Sequence, residues 1–110
     1  MKVDGIWKVE ILGPYGWEAA STAFLENGRY LSASQDHYVI GRYRVNEDTI
    51  RVEADMHPHS EANNPPDNSE LRPKFAFVGQ VSDGHISGQV DDDEGLQSMT
   101  VRGTRLGDLP

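Results

Sequence analysis

Apolar and polar side chains alternate along most of the chain, and turn-forming residues divide the alternation into short segments. In the first segment, Trp7, Val9 and Ile11 alternate with Lys8 and Glu10. Successive side chains of a β-strand point to opposite faces of the sheet, so this pattern predicts a strand with one buried and one solvated face. The same period of two recurs to the end of the chain, and no segment has the pattern of a long helix. The sequence therefore predicts an all-β fold.

Turn residues set the boundaries of these strands. The Gly-Pro-Tyr-Gly run at residues 13–16 ends the first strand, and Asn27-Gly28 joins the second to the third. Asn-Gly favours a type I′ hairpin turn because both residues tolerate positive φ. Further turns are predicted at 46–48 and 82–84. The eight predicted strands cover residues 7–11, 17–25, 29–34, 38–45, 50–57, 75–81, 86–90 and 96–105.

Consecutive strands joined mostly by tight turns predict antiparallel neighbours, and closure of such a meander removes both exposed edges. We therefore expect one domain over residues 1–110, a small antiparallel up-and-down eight-stranded barrel. Residues 58–73 contain four prolines and three asparagines, which predict a long loop. An eight-stranded barrel either fills with side chains or holds one small ligand. Because the strands are short, we expect a shallow barrel without a large cavity. Glycines at 41, 79, 88 and 103 are interpreted as bends within strands.

Composition excludes several classes of protein. The net charge of −8 opposes binding to nucleic acid or to an anionic membrane surface. The absence of cysteine excludes disulfides, a thiolate nucleophile and cysteine-based metal sites. No apolar run has the length of a membrane span or a secretory signal, so we expect a soluble, cytoplasmic protein.

Two clusters of ionisable residues have the chemistry of metal ligands. His57-Pro58-His59 lies between Asp55 and Glu61, and Asp91–Glu94 is a run of four carboxylates. The first has a proline between its histidines and lacks a third fixed ligand, and the second lacks the ligand spacing of an EF-hand. A solvated loop and an exposed acidic turn are therefore favoured, and no metal or cofactor is expected. The sequence also lacks a nucleophile elbow and a phosphate-binding glycine loop, so we do not expect an enzyme.

Aromatic residues fall mostly at alternating positions that favour a core over a ligand pocket. The pattern shows no surplus apolar stripe on the outer face. Tyr15, in the first turn, would indicate a binding or dimer surface if it were exposed. If the interior instead carries a small ligand, the lining is expected to include Trp7, Val52, Phe75 and Phe77.

Four segments carry a resemblance to a known family: DGIWKV at 4–9, FLENGRYLSASQDHYVIGRYRVNEDTIRVEA at 24–54, FVGQVSDGHISGQV at 77–90 and TRLGDLP at 104–110. In the order of these strands and turns, the chain resembles the GrlR-like negative regulators of type III secretion. The resemblance implies a lipocalin-like barrel without enzymatic activity, which forms a homodimer and binds a transcriptional activator.

The resemblance also indicates a partner-binding turn. The best-known member uses an acidic quartet, Glu-Asp-Glu-Asp, and at the matching turn of this chain, residues 46–49, only Glu47 and Asp48 are acidic. We expect these two carboxylates to contact a protein partner, such as a basic activator, because fixed negative charge on a hairpin tip steers a Lys- or Arg-rich surface. The alternative is an acidic turn that serves only turn formation and solubility.

Overall fold

The computed structural model describes residues 3–35, 37–58, 74–92 and 98–110. Within those residues the regular secondary structure consists of strands alone, which confirms the all-β prediction. No helix among them is long and apolar enough to cross a membrane. The strands are β1 Gly5–Gly13, β2 Gly16–Glu26, β3 Arg29–Ala33, β4 His37–Asn46, β5 Thr49–Pro58, β6 Lys74–Ser82, β7 His85–Asp92 and β8 Ser98–Gly107.

The eight strands form one closed barrel in which each strand pairs with its neighbours in sequence and β8 pairs with β1. Every pairing is antiparallel. Closure leaves no strand in the sheet with an unpaired edge. The predicted up-and-down eight-stranded barrel is therefore confirmed.

The hairpin turns follow the local sequence. Asn27 and Gly28 have φ of 50° and 81°, as the type I′ prediction requires, and Asp83 and Gly84 have φ of 46° and 76°. Strand boundaries lie within two residues of prediction wherever the structure describes them. Pro58, which we expected in the long loop, ends β5. The remainder of that loop, and the predicted start of the eighth strand at Leu96, lie outside the described residues.

The two ends of the barrel differ. One end carries the β2–β3, β4–β5 and β6–β7 turns, the start of β1 and the end of β8. Val3 is 3% exposed at this end, and the Trp7 indole Nε1 donates a hydrogen bond to its carbonyl oxygen at 2.9 Å. Val3 and Trp7 thus plug this end, which we call the closed end. We call the opposite end, where β1 ends and β2 begins, the open end because the described residues form no plug there; residues 59–73 and 93–97, which connect strands at that end, lie outside the described residues.

Three of the four strand glycines are required by the neighbouring backbone. Gly79 and Gly88 face each other across β6 and β7. A Cβ atom on Gly88 would lie 2.1 Å from the carbonyl oxygen of Val78, and one on Gly41 would lie 2.3 Å from that of Glu53. None of these glycines has positive φ, so close approach between strands, rather than an unusual backbone conformation, excludes a side chain.

Candidate functional site

The barrel encloses a cavity of about 440 Å³. The cavity reaches from the plug at the closed end towards the open end. It is larger than we expected from strand length, so the prediction of a shallow barrel without a large cavity is wrong. The error arises because small inward-facing residues, including Ala23 and Gly103, leave the centre of the barrel unfilled. The apolar lining of the cavity consists mainly of Trp7, Val9, Ile11, Ile50, Val52, Met56, Phe75, Phe77, Ile86, Val90, Met99 and Val101.

The structure brings together the four residues that the sequence indicated for a ligand-binding interior. Trp7, Val52, Phe75 and Phe77 all line this cavity. Val52 and Phe77 are direct partners across β5 and β6, whereas Trp7 approaches from β1. Their exposures are 2% for Trp7, 4% for Val52 and 8% for Phe77, and Phe75 is half-buried. These side chains supply apolar surface to the cavity from β1, β5 and β6.

A polar strip interrupts the apolar lining on the β2–β4 side. Tyr30 and Ser32 lie on the inward face of β3, and Ser21 and His37 lie nearby on β2 and β4. Burial raises the pKa of Tyr30 above its ordinary value, and a hydrogen bond with the Ser32 hydroxyl partly opposes that rise. The sequence prediction missed this strip because serine in a strand is more often solvated, although Tyr30 and Ser32 share the period of two that marks an inward face.

Lys74 and Arg102 line the cavity, but neither places an uncompensated positive charge in its interior. Lys74 is exposed at the open end. Arg102 donates a hydrogen bond from Nε to Glu10 Oε1 at 3.0 Å, and its guanidinium carbon lies 4.1 Å from the centre of the Trp17 ring. That hydrogen bond lowers the pKa of Glu10, and the positive charge of Arg102 adds to the effect. The Arg102 guanidinium is therefore engaged with neighbouring side chains.

The closed end is fixed by a polar network around Asp4. The Tyr43 hydroxyl donates a hydrogen bond to the Asp4 carboxylate. Arg105 donates from Nη2 to the Asp4 carbonyl oxygen at 2.9 Å and also bonds to Asp108. Burial, together with the Asp4 carboxylate, raises the pKa of Tyr43 to about 12. The network ties the segment that contains Val3 to β4 and β8.

Glu47 and Asp48 form the tip of the β4–β5 hairpin at the closed end, away from the cavity mouth. Both are exposed, and in the described part of the chain neither side chain has a hydrogen bond or an ion pair. The tip is anchored because the Val81 amide donates to the Asp48 carbonyl oxygen at 2.7 Å. Arg44 and Arg51 face each other three residues along the strands from the tip, about 10 Å away. Arg51 forms an ion pair with Glu53, in which Nε lies 3.1 Å from Oε1, so the two arginines offset only part of the negative charge of the tip.

The outer face of the barrel carries exposed apolar side chains. Phe24, Leu31 and Ile40 are direct cross-strand partners on β2, β3 and β4, and we call them the outer apolar row. Their exposures are 39%, 48% and 47%. The expectation of no surplus apolar stripe is therefore wrong. The sequence does contain a signal for it, because the row arises where strand alternation fails, as in the adjacent pairs Phe24-Leu25 and Val39-Ile40.

Aromatic residues are divided between core and surface. Trp7, Tyr43 and Phe77 are buried, as predicted. Trp17 and Tyr38, like Phe24, are more than one-third exposed and do not belong to the core. Tyr15 is 98% exposed in the β1–β2 turn, where it is available for contact.

The two acidic and histidine-rich clusters lie partly outside the described residues. His59, Glu61 and the end of the Asp91–Glu94 run fall there. His57 stacks on Tyr38 with ring centres 5.1 Å apart. Within the described ranges, no group of three or more histidine, aspartate or glutamate side chains could hold a metal ion.

The fold and its interior define an all-β protein built as a closed eight-stranded barrel with an apolar cavity. No family model matches the sequence. No curated protein is significantly similar to it.

Proposed function

We propose that this protein binds a small apolar molecule inside its barrel. The observation that carries the proposal is the cavity of about 440 Å³ and its mostly apolar lining. Sites for small molecules typically measure about 300–1,000 Å³ and combine an apolar wall with a few polar groups. Burial of apolar surface supplies the binding energy, and closure of the barrel by hydrogen bonds lets the site persist without the ligand.

A titration with the neutral fluorescent probe N-phenyl-1-naphthylamine tests the proposal. We expect saturable binding with stoichiometry of one probe per barrel. Val90→Phe places a ring on the cavity wall and should weaken binding at least tenfold, because the added volume displaces the probe. Val78→Phe is the matched control, since Val78 is 45% exposed and does not line the cavity. Absence of binding to the wild type, or equal affinity in the Val90→Phe variant, would contradict interior binding.

A second function is favoured by the exposed Glu47-Asp48 tip. We propose as the alternative a non-enzymatic regulatory protein of the cytoplasm that binds a basic protein partner, such as a transcriptional activator. The tip supports this alternative because its carboxylates are exposed on an anchored hairpin. The tip offers only two carboxylates, whereas the cavity offers a large apolar surface, so the geometry favours interior binding more strongly.

Calorimetry with a cognate activator tests this alternative. The double change Glu47→Lys and Asp48→Lys reverses the charge of the tip and should weaken binding about tenfold, mainly through slower association. Glu18→Lys serves as the control because Glu18 is also exposed but lies on β2 near the open end. Equal losses in both variants would indicate a general charge effect, and unchanged affinity would remove Glu47 and Asp48 from the interface.

We also propose that two copies of the chain associate through the outer apolar row. The neighbouring row of outward residues, Glu26, Arg29, Arg42 and Glu53, contains two acids and two bases. This face is therefore locally neutral on a chain whose net charge is −8. Two copies meeting there would bury apolar surface with less repulsion than elsewhere.

A further inference from the structure

The polar strip inside the barrel restricts which apolar molecules the cavity can bind. Tyr30 and Ser32 project inwards from β3, on either side of the outward-facing Leu31. Ser32 pairs in register with Ala23 and Val39, which are 1% and 8% exposed, and is itself 6% exposed. Ser32 therefore lies within the core rather than at the rim, and Tyr30 is partly buried beside it and lines the same cavity.

Hydroxyl groups at this depth have capacity to bind a ligand atom. Tyr30 and Ser32 each carry a hydroxyl group that can donate one hydrogen bond and accept others. Either hydroxyl can donate to an oxygen atom of a ligand or accept a hydrogen bond from one. A ligand without such a group would cover these hydroxyls and separate them from water without compensation.

The charges around the cavity disfavour an anionic ligand at the same place. Arg102 is bonded to Glu10 and stacked on Trp17, and Arg105 is bonded to the Asp4 carbonyl at the closed end. Lys74 is exposed at the open end. His37 is the one other basic side chain that lines the described part of the cavity, and a carboxylate that it does not neutralise would be buried beside Tyr30 and Ser32 without a cationic partner, which is strongly unfavourable.

We infer that the cavity selects a neutral, mostly apolar molecule with one hydroxyl or carbonyl oxygen, which hydrogen bonds to the Tyr30–Ser32 pair. At about 30 Å³ for each non-hydrogen atom, a volume of about 440 Å³ accommodates roughly 15 such atoms. The inference rests on the proposed interior binding and adds the chemistry that the ligand must carry.

Displacement of N-phenyl-1-naphthylamine by three matched compounds tests the inference. Butylbenzene, 4-phenylbutan-1-ol and 4-phenylbutanoate share a phenyl ring and an alkyl chain but end in a methyl group, a hydroxyl group and a carboxylate. The double variant Tyr30→Phe, Ser32→Ala removes both hydroxyls. We expect it to bind the alcohol about tenfold more weakly than the wild type does and to bind butylbenzene as well or better. Retained butylbenzene binding also shows that the variant is folded.

Lys74→Ala tests the charged group at the rim, and should leave the ratio of the affinities for the alcohol and butylbenzene as it is in the wild type. Equal changes for butylbenzene and the alcohol in the double variant would overturn the assignment to Tyr30 and Ser32. Tightest binding of the carboxylate, lost in Lys74→Ala, would overturn it in favour of an anionic ligand held at the rim. Failure of the probe and of all three compounds to bind the wild type would instead overturn interior binding itself.

Discussion

At the closed end of the barrel, the Tyr43 hydroxyl donates a hydrogen bond to Asp4, which lies 39 residues away in sequence. The side chain is 9% exposed, and burial together with the Asp4 carboxylate raises its pKa to about 12. An unfolded chain has no such environment, so its tyrosine ionises near pH 10. The folded and unfolded states therefore bind different numbers of protons between these two values.

This difference predicts a loss of stability in alkaline solution. The contribution of Tyr43 is fully present below pH 10 and is lost as pH rises towards about 12, because the unfolded state releases its proton first. The loss should be on the order of 2 kcal/mol. In urea unfolding measured from pH 9 to 11.5, Tyr43→Phe should show a weaker decline than the wild type. Tyr15→Phe, at a site 98% exposed, should decline in parallel with the wild type. Parallel curves for Tyr43→Phe and the wild type would contradict the assignment.

At the level of strands, the pairing of β6 with β7 depends on two glycines that face each other. The carbonyl oxygen of Val78 occupies the space that a Cβ atom on Gly88 would need. The backbone of Gly79, which pairs with Gly88, lies next to the same position. A sequence pattern marks these glycines as unusual within strands but does not show what fills the space beside them. That information depends on the register between the two strands.

We expect Gly88→Ala to separate β6 from β7 locally and to lower the free energy of unfolding by about 1–3 kcal/mol, as overpacking does in other interiors. Gly107→Ala is the matched control, because no atom lies within 4 Å of its Cβ position and its φ is not positive. Urea unfolding at neutral pH measures both. A Gly88→Ala variant as stable as the control would show that the strands adjust without cost.

The whole molecule presents three separate surfaces: the cavity mouth at the open end, the Glu47-Asp48 tip at the closed end, and the outer apolar row on its side. Their separation means that a ligand in the cavity and a second copy on the outer face would not compete for the same residues. Dimerisation can therefore be tested without disturbing the interior.

Sedimentation velocity at micromolar concentration should give a dimer for the wild type and a monomer for Leu31→Lys, because the lysine introduces a charge in the centre of the proposed contact. Val78→Lys is the control, since Val78 is similarly exposed, at 45%, but lies on β6 outside the outer apolar row. A monomeric wild type would refute the dimer, and equal dissociation of both variants would refute this interface.

The inward or outward direction of a side chain follows from its position in a strand, and this is why the sequence predicted the barrel and the placement of Trp7, Val52, Phe75 and Phe77 in its interior. The type of the β2–β3 turn could equally be predicted, because Asn27 and Gly28 themselves adopt the positive φ that a type I′ turn requires. The roles of Glu47 and Asp48 and the dimer remain predictions.

Other properties depend on contacts between distant residues, which a local pattern does not encode. The cavity volume depends on how side chains from all the strands meet across the barrel. The outer apolar row depends on the register of β2, β3 and β4. The Tyr43–Asp4 contact and the Tyr30–Ser32 pair in the cavity acquire their environments only when the barrel closes. Alternation fixes the face on which a side chain lies, whereas closure and register fix its neighbours and the space left between them.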